Sequence, residues 1–428
     1  MNELIDKILE NLKAVKINSK EIEKGDIFVA LEGEKTHGAY FCKSALERGA
    51  KLCILPEEFK DKVNLKDKVI FVKSTLNFLM ELARKKREKF KGKVIGITGT
   101  VGKTTFKFML SHIMNKNNKK NYPSPKSYNN FIGVSLTFLN APPDSEYIIA
   151  EAGINKEGEM EILSDIIKPD IAIITKIGPG HLEGLKSVSK VAEEKFKLAK
   201  NISSEGYLVI NKNAPFVEEV KTKAKIVYFE LDDKNVFWDG EKFTYNGEFE
   251  ISLNVPSFGM MENAIAAFKT AMILKLETYK DIFLDFKFPD LRMEIIRYNN
   301  ALIILDSYNA NPLSMEDTIK TGTFFKKKEK YLFMGDMLEL GEYSEIYHRE
   351  VARLLKSKNY NAVFTFGKDS KFTSEEAQKI GLYSIHYKNK DKMKEKLSEI
   401  IKRDSLVIVK GSRKMEMEKI LEGLKDDT

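Results

Sequence analysis

The segment that most constrains the fold runs from Val94 to Ile113. Val94-Ile-Gly-Ile-Thr98 is a short β-forming run, followed by Gly99-Thr100-Val101-Gly102-Lys103-Thr104-Thr105. Phe106, Met109, Leu110 and Ile113 then recur at i, i+3, i+4 and i+7, the apolar stripe of a helix. Glycines let successive backbone N–H groups converge on one point, and a helix N-terminus adds its positive dipole end there. An anion suits such a loop, with Lys103 reaching its terminal phosphates and the Thr104 hydroxyl as a donor to Mg²⁺. The usual form of this loop carries a glycine at position 97, where this chain has Ile97, so the pattern is a shorter variant. A chance Gly-rich turn would leave the preceding strand and following helix unexplained. The segment predicts a nucleoside triphosphate site, for ATP or GTP.

Beyond the loop the alternation of strand and helix continues. Tyr147–Glu151, Ile171–Thr175 and Tyr207–Asn211 are β-rich runs with helical patterns in several intervals, which predicts a parallel sheet covered by helices. From near Arg292 the pattern restarts, with Ala301–Asp306, Lys330–Met334, Ala362–Phe366 and Leu406–Val409 as strands. Ahead of Lys93 lie two strand-like runs, Asp26–Leu31 and Lys51–Leu55, a helical stretch at Phe41–Arg48 and a Lys/Arg-rich helix at Leu76–Phe90. At 428 residues the chain exceeds one ordinary domain. We expect an α/β protein of three domains: a small α/β N-terminal domain (1–90), a central parallel-sheet domain of the P-loop ATPase kind (91–290), and a C-terminal Rossmann-like α/β domain (291–428).

Composition narrows the remaining choices. No apolar run reaches the roughly 20 residues that a bilayer span needs. The opening MNELIDKILENLKAV reads as an amphipathic helix rather than a cleavable leader, so a cytoplasmic protein is expected. Cys42 and Cys53 are too few for a disulfide framework or a zinc cage and are expected to be buried thiols. The net charge of +8 is compatible with nucleic acid or a membrane surface, but the lysines are scattered and interleaved with glutamate. That is the pattern of a solvated surface, so neither partner is expected. The expectation is a monomer.

The short loop resembles that of the Mur ligases and folylpolyglutamate synthetases, and the resemblance covers most of the chain. Ser127-Tyr-Asn129-Asn130-Phe-Ile-Gly133 is similar to the family's Asn-Asn-x-x-Gly segment, and Ile149-Ala-Glu151-Ala-Gly153 to its metal-binding glutamate at a strand end. Ile177-Gly-Pro-Gly-His181-Leu-Glu183 resembles its histidine loop. Asp306-Ser-Tyr308-Asn309-Ala-Asn311-Pro312 and Met334-Gly-Asp336-Met-Leu-Glu339-Leu-Gly341 resemble segments of the member that adds D-alanyl-D-alanine. His348-Arg349-Glu350 and Lys410-Gly-Ser412-Arg413 extend that match.

The resemblance implies an architecture, a reaction and a site. The N-terminal domain would bind the UDP end of one substrate, the central domain ATP, and the C-terminal domain would close over both by rotation. The implied reaction is ATP-dependent addition of D-alanyl-D-alanine to the terminal carboxylate of UDP-N-acetylmuramoyl-tripeptide, through an acyl phosphate, in peptidoglycan precursor synthesis. Lys103, Glu151, His181 and Lys195 are the implied catalytic positions. Gly99, Thr100, Val101, Gly102, Lys103, Thr104, Thr105, Asn263, Arg292 and Asp306 would contact the nucleotide. Thr104, Glu151, His181 and Lys195 as a carbamate would hold Mg²⁺, as two ions. Ser19, Lys126, Asn129, Asn130, Tyr308 and Asn309 would grip the UDP-peptide or the incoming amine.

Elementary chemistry supports these roles unevenly. Thr104 and Glu151 offer hard oxygens suited to Mg²⁺, whereas a lone histidine such as His181 is more often structural. Lys195 falls on the apolar face formed by Val188, Val191, Ala192 and Ala199, where an unpaired lysine is costly. A snorkelling side chain, a salt bridge to Glu194 and a carbamate all answer that cost, and the carbamate requires a neutral amine. Asp336, Glu339 and Glu342 either form a solvated loop or hold the dipeptide's ammonium.

The chain also departs from the family. Asn18-Ser19-Lys20 stands where relatives have Asp-Ser-Arg, and His37-Gly38-Ala39 where they have Asp-Gly-His. Gly259 replaces a histidine and Leu291 a glycine. Three other readings are another Mur or folylpolyglutamate-type amide ligase with a different acceptor, a P-loop NTPase switch, and a non-catalytic UDP-sugar-binding relative. The Asp306–Pro312 motif argues against the first. A strand ending in Glu151 instead of an aspartate, and the C-terminal motifs, argue against the second. The intact Gly102-Lys103-Thr104 with Glu151, His181 and Lys195 argues against the third.

Overall fold

The structure is a computed structural model and describes residues 2–63 and 68–423. The N-terminal unit begins with helix α1 (Asn2–Glu10) and builds a four-stranded parallel sheet from β1 (Val15–Lys16), β2 (Ile27–Val29), β3 (Leu52–Pro56) and β4 (Val69–Val72), in that order, with α2 (Cys42–Glu47) between β2 and β3. Cys42 and Cys53 are both free and buried. Helix α3 (Thr75–Lys89) starts at Ser74, whose hydroxyl accepts from Asn77 N at 3.2 Å, and turns Phe78, Leu79, Leu82 and Ala83 inward.

The central unit follows with β5 (Lys93–Thr98), α4 (Lys103–Lys116), β6 (Asn121–Pro123), α5 (Phe131–Asn140), β7 (Tyr147–Glu151), α6 (Glu159–Ile167), β8 (Ile171–Ile174), α7 (Leu182–Leu185), α8 (Val188–Phe196), β9 (Tyr207–Asn211) and β10 (Lys225–Phe229). Its six strands are all parallel, in the order β10-β9-β8-β5-β7-β6. Val94, Ile95 and Ile97 are buried whichever face they point to, as expected of a parallel strand covered on both sides. Strand order reverses around β5, and it is at the carboxyl ends of the strands beside such a reversal that α/β sheets place ligands. An antiparallel sheet of β11 (Val236–Trp238), β12 (Phe243–Asn246) and β13 (Glu250–Leu253) follows, then α9 (Phe258–Ile273).

The C-terminal unit comprises β14 (Glu294–Tyr298), β15 (Ala301–Asp306), α10 (Pro312–Thr321), β16 (Glu329–Gly335), α11 (Ser344–Ser357), β17 (Ala362–Phe366), α12 (Ser370–Lys379), β18 (Tyr383–Tyr387), α13 (Lys390–Ile400) and β19 (Ser405–Lys410). The order is β14-β15-β19-β16-β17-β18, with only the β14–β15 pair antiparallel. The predicted three-part α/β architecture is therefore the observed one.

Two joints set the units against each other. Helix α3 lies on the central unit: Arg87 donates to the carbonyls of Ile167 (3.0 Å) and Lys168 (2.7 Å) at the C-terminus of α6, where a cation meets the negative dipole end. Phe324, just after α10, packs edge-on to Phe243 at 5.3 Å between ring centroids and against Phe258 at 5.5 Å, while Phe325 meets Trp238 at 5.7 Å. The carboxyl ends of β5, β7 and β8 thereby face those of β15 and β19 across a cleft. Among the described residues, no helix is long and apolar enough to cross a membrane.

Candidate active site

The cleft encloses a cavity of about 400 Å³ lined from both units, including Thr100–Thr105, Glu151, His181 and Asn263 on one side and Arg292, Asp306, Tyr308, Asn309, Glu339 and Lys410 on the other. Its floor is the loop between β5 and α4. Gly99 sits at φ +152°, where a Cβ would lie 1.9 Å from Thr175 Oγ1. Gly102, at φ +88°, begins α4 with no side-chain cap, and a Cβ there would lie 2.6 Å from Asn263 Oδ1. Both positions therefore require glycine. Thr100 Oγ1 donates to Gly178 O at 3.1 Å, tying the loop to the segment after β8. Thr105 is buried, and Val101 bridges to Lys176.

Lys103 is turned back onto its own loop, donating to Gly99 O at 2.9 Å and Thr100 O at 3.5 Å. Burial holds its ammonium below the usual lysine range, with Arg292 adding to the effect and Glu151 opposing it. Thr104 donates to Glu151 Oε2 at 2.9 Å, and Asn129 Nδ2 donates to Glu151 Oε1 at 3.0 Å. Burial pushes the Glu151 carboxyl up, but Lys107 and Lys103 outweigh it and keep the group ionised below its usual range. Arg292 lies 4.1 Å over the Tyr308 ring and points Nη2 at Thr104 Oγ1 (3.4 Å). Its neighbours Leu291 and Met293 sit at φ +59° and +52°. Leu291 thus adopts, beside Arg292, the left-handed conformation that glycine takes most easily.

The structure brings most of the expected residues together and leaves some apart. His181, at φ +55°, has Nδ1 2.7 Å from Glu339 Oε2 across the cleft, a polar contact without hydrogen-bond alignment. Lys195 is fully buried and its Nζ has no partner, so neither snorkelling nor a bridge to Glu194 describes it. Burial, then the nearby Lys103, lower its pKa well below the usual range. Glu194 instead pairs with Lys197 and accepts from Gly158 N at 3.0 Å. Asp306 is held by Lys410 and by the Thr318 hydroxyl (2.7 Å).

Asn130 caps α5, accepting from Gly133 N at 2.9 Å, and Asn309 Oδ1 accepts from Ala310 N at 2.9 Å. Lys126 stands at φ +46° and lines neither this cavity nor the adjoining one. Ser19 lies in the N-terminal unit, nearly buried, and does not line the cavity. Of the acidic trio, Asp336 is committed elsewhere, accepting from Lys368 N, Asp369 N and Ser370 N where α12 starts. Two participants had no role assigned from sequence. Ser127 accepts from Tyr308 Oη at 2.5 Å, bridging the two units, and Lys107 pairs with Glu151 at 3.2 Å. Lys107 could have been found as the lysine one helical turn past Lys103 on the buried side of α4.

The donors present fit a divalent cation. Thr104 and Glu151 supply converging hard oxygens, and the orphaned Lys195 amine is a buried group that carbamylation would convert into a further oxygen donor. Among the described residues no three His, Cys, Asp or Glu side chains cluster, so any such site depends on Thr104 and Lys195.

A triphosphate loop facing a second α/β unit across a closed cleft defines a nucleotide-dependent group-transfer enzyme. Comparison with known proteins gives its family. The Mur ligase middle domain matches residues 97–271, the "Mur ligase, glutamate ligase domain" 291–413, and the "Mur ligase family, catalytic domain" 11–87. UDP-N-acetylmuramoyl-tripeptide--D-alanyl-D-alanine ligase of Buchnera aphidicola (subsp. Acyrthosiphon pisum, strain APS) is 32% identical over 96% of this chain and 93% of that relative. The protein of the same name from Bacillus subtilis (strain 168) is 29% identical over 96% and 93%. The crystal structure of MurF ligase from Thermotoga maritima in complex with ADP superposes with a TM-score of 0.85, at 26% identity and 97% coverage of each chain. The chain belongs to the Mur ligase family.

Proposed function

We infer that this chain is an ATP-dependent ligase that joins D-alanyl-D-alanine to the terminal carboxylate of UDP-N-acetylmuramoyl-tripeptide, in the cytoplasm and as a monomer. The observation that carries the reading is the convergence in one cavity of the phosphate loop, Glu151 and the segment Asp306–Asn311. Full-length relatives named for this reaction support it. The three units correspond to residues 1–90, 91–290 and 291–428, with the UDP end held by the first.

In this reading the loop N–H groups and Lys103 cradle the triphosphate, Lys103 exchanging its own carbonyls for phosphate oxygens. Thr104, Glu151, His181 and a carbamylated Lys195 would hold Mg²⁺, which would supply charge neutralisation between the two anionic reactants. A carboxylate oxygen of the tripeptide attacks the γ-phosphorus, and ADP leaves. The dipeptide amine then attacks the acyl carbon, phosphate departs, the amine loses a proton and the amide remains. Arg292, fixed over Tyr308, adds positive charge beside Thr104. Tyr308 and Asn309 present polar groups from the opposite wall, while contact between the units excludes water that would hydrolyse the acyl phosphate.

Phosphate release measured with substrates added singly and together tests the reading. It should require ATP, UDP-N-acetylmuramoyl-tripeptide and D-alanyl-D-alanine, with a product whose mass is that of the UDP-linked tripeptide plus the dipeptide less one water. Release indifferent to the dipeptide would overturn the acceptor assignment.

A further inference from the structure

Lys107 is a fully buried cation to which phosphate chemistry gives no task. It lies on α4 three residues past Thr104, between Phe106 and Phe108. Its ammonium has three N–H donors, and each has an acceptor: Glu151 Oε2 at 3.2 Å, Ser124 Oγ at 3.2 Å and Lys126 O at 2.5 Å. The Phe108 ring lies 4.7 Å away. Burying a lysine costs far more than burying a methionine of similar length, so the site is built around the charge.

Its three acceptors come from two different segments. Glu151 ends β7, whereas Ser124 and Lys126 belong to the connection from β6 to α5. Lys126 is held at φ +46°, rarely occupied by residues with side chains, and the ammonium fastens its carbonyl. The same connection returns to Glu151 through Asn129, whose Nδ2 donates at 3.0 Å and whose carbonyl accepts from Gly153 N at 2.8 Å. Gly153 has no room for a Cβ, which would lie 2.8 Å from Asn129 Cγ. Ser127 reaches Tyr308 of the C-terminal unit from the middle of this connection.

We propose that Lys107 is a positioning residue that joins Glu151 and residues 124–130 into one unit, so that events at the Glu151 carboxylate set the segment facing the UDP-linked substrate. The inference rests on the substrate assignment above for its kinetic consequence but not for its structural one. Lys107→Met keeps length and removes charge; Lys107→Arg keeps charge.

Amide hydrogen exchange of the unliganded protein provides a readout free of substrates. Exchange across 124–130 should quicken roughly tenfold in Lys107→Met and return toward the parent in Lys107→Arg. KM for UDP-N-acetylmuramoyl-tripeptide should rise roughly tenfold while KM for ATP moves less than about threefold. Unchanged exchange together with an unchanged KM ratio in folded Lys107→Met would overturn the proposal. Should that variant fail to fold, Ser124→Ala removes one acceptor, leaves the charge pair, and decides by the same exchange measurement. If the parent enzyme uses other substrates, the exchange result stands while the ligase assignment falls.

Discussion

Lys103 is half-buried, its ammonium held below the usual range by burial and by Arg292 against the opposing pull of Glu151 and Glu339, and its hydrogen bonds go to its own loop carbonyls. Its charge is therefore poorly served until phosphate arrives. Lys103→Met is expected to lower ATP-dependent phosphate release by at least about 100-fold while leaving the thermal midpoint of the unliganded protein equal or higher. Parallel kinetics and calorimetry would check both halves. His37 and Asn18 show how far single residues could be read from sequence. Both were recognised as departures that remove a carboxylate, but sequence could not show what replaces it. His37 Nδ1 accepts from Ala39 N at 3.0 Å, and Asn18 Oδ1 accepts from Lys20 N at 3.1 Å, so each still caps a short 3-10 turn as an aspartate would. The His37 ring also packs on Phe59 at 4.6 Å. His37→Phe keeps an aromatic ring and loses the acceptor, and denaturant unfolding should register a loss of about 1 kcal/mol.

Elements buried on both faces were the most legible, because an unbroken apolar run such as residues 301–305 has few alternatives to a covered strand. The hairpins β11–β13 went unread although Asp239-Gly240 and Asn246-Gly247 mark their turns, because the flanking runs mix aromatic and charged residues without clean alternation. The site was legible where one motif carries its function, as at Gly99–Thr105. It was illegible where function arises from segments distant in sequence, as in the Tyr308–Ser127 bridge. Helix α11 shows a further hidden role. His348 is buried, accepts from Met337 N through Nε2 at 3.1 Å and binds Ser344 O through Nδ1 at 2.8 Å, fixing the segment that ends in Glu339. Burial keeps its imidazole below the ordinary value of 6.5, so the unfolded chain takes up a proton before the folded one does. The stability contributed by this ring is complete above pH 6.5 and declines as pH falls through the folded value. Unfolding midpoints from about pH 7 to about pH 5 should fall more steeply for the parent than for His348→Gln, which can accept from Met337 N without titrating.

At the scale of the whole molecule, the cleft closes through contacts that differ in kind from those of the joint behind it. The cleft contacts are polar, namely Tyr308–Ser127, His181–Glu339 and Arg292–Thr104, whereas Phe243, Phe258, Phe324, Phe325 and Trp238 form an aromatic bearing. Polar contacts re-form in water at little cost, but opening the bearing would expose aromatic surface, so rotation should turn about it. Small-angle scattering is expected to show a smaller radius of gyration when an ATP analogue and the UDP-linked substrate are both present. An unchanged radius would count against closure. Trp238 is the chain's single tryptophan and rests against Phe325 in that bearing. The protein thus carries one native fluorophore at the place expected to move least. Its emission should hold nearly constant through the closing that scattering detects, and a red shift would report that the two units had come apart.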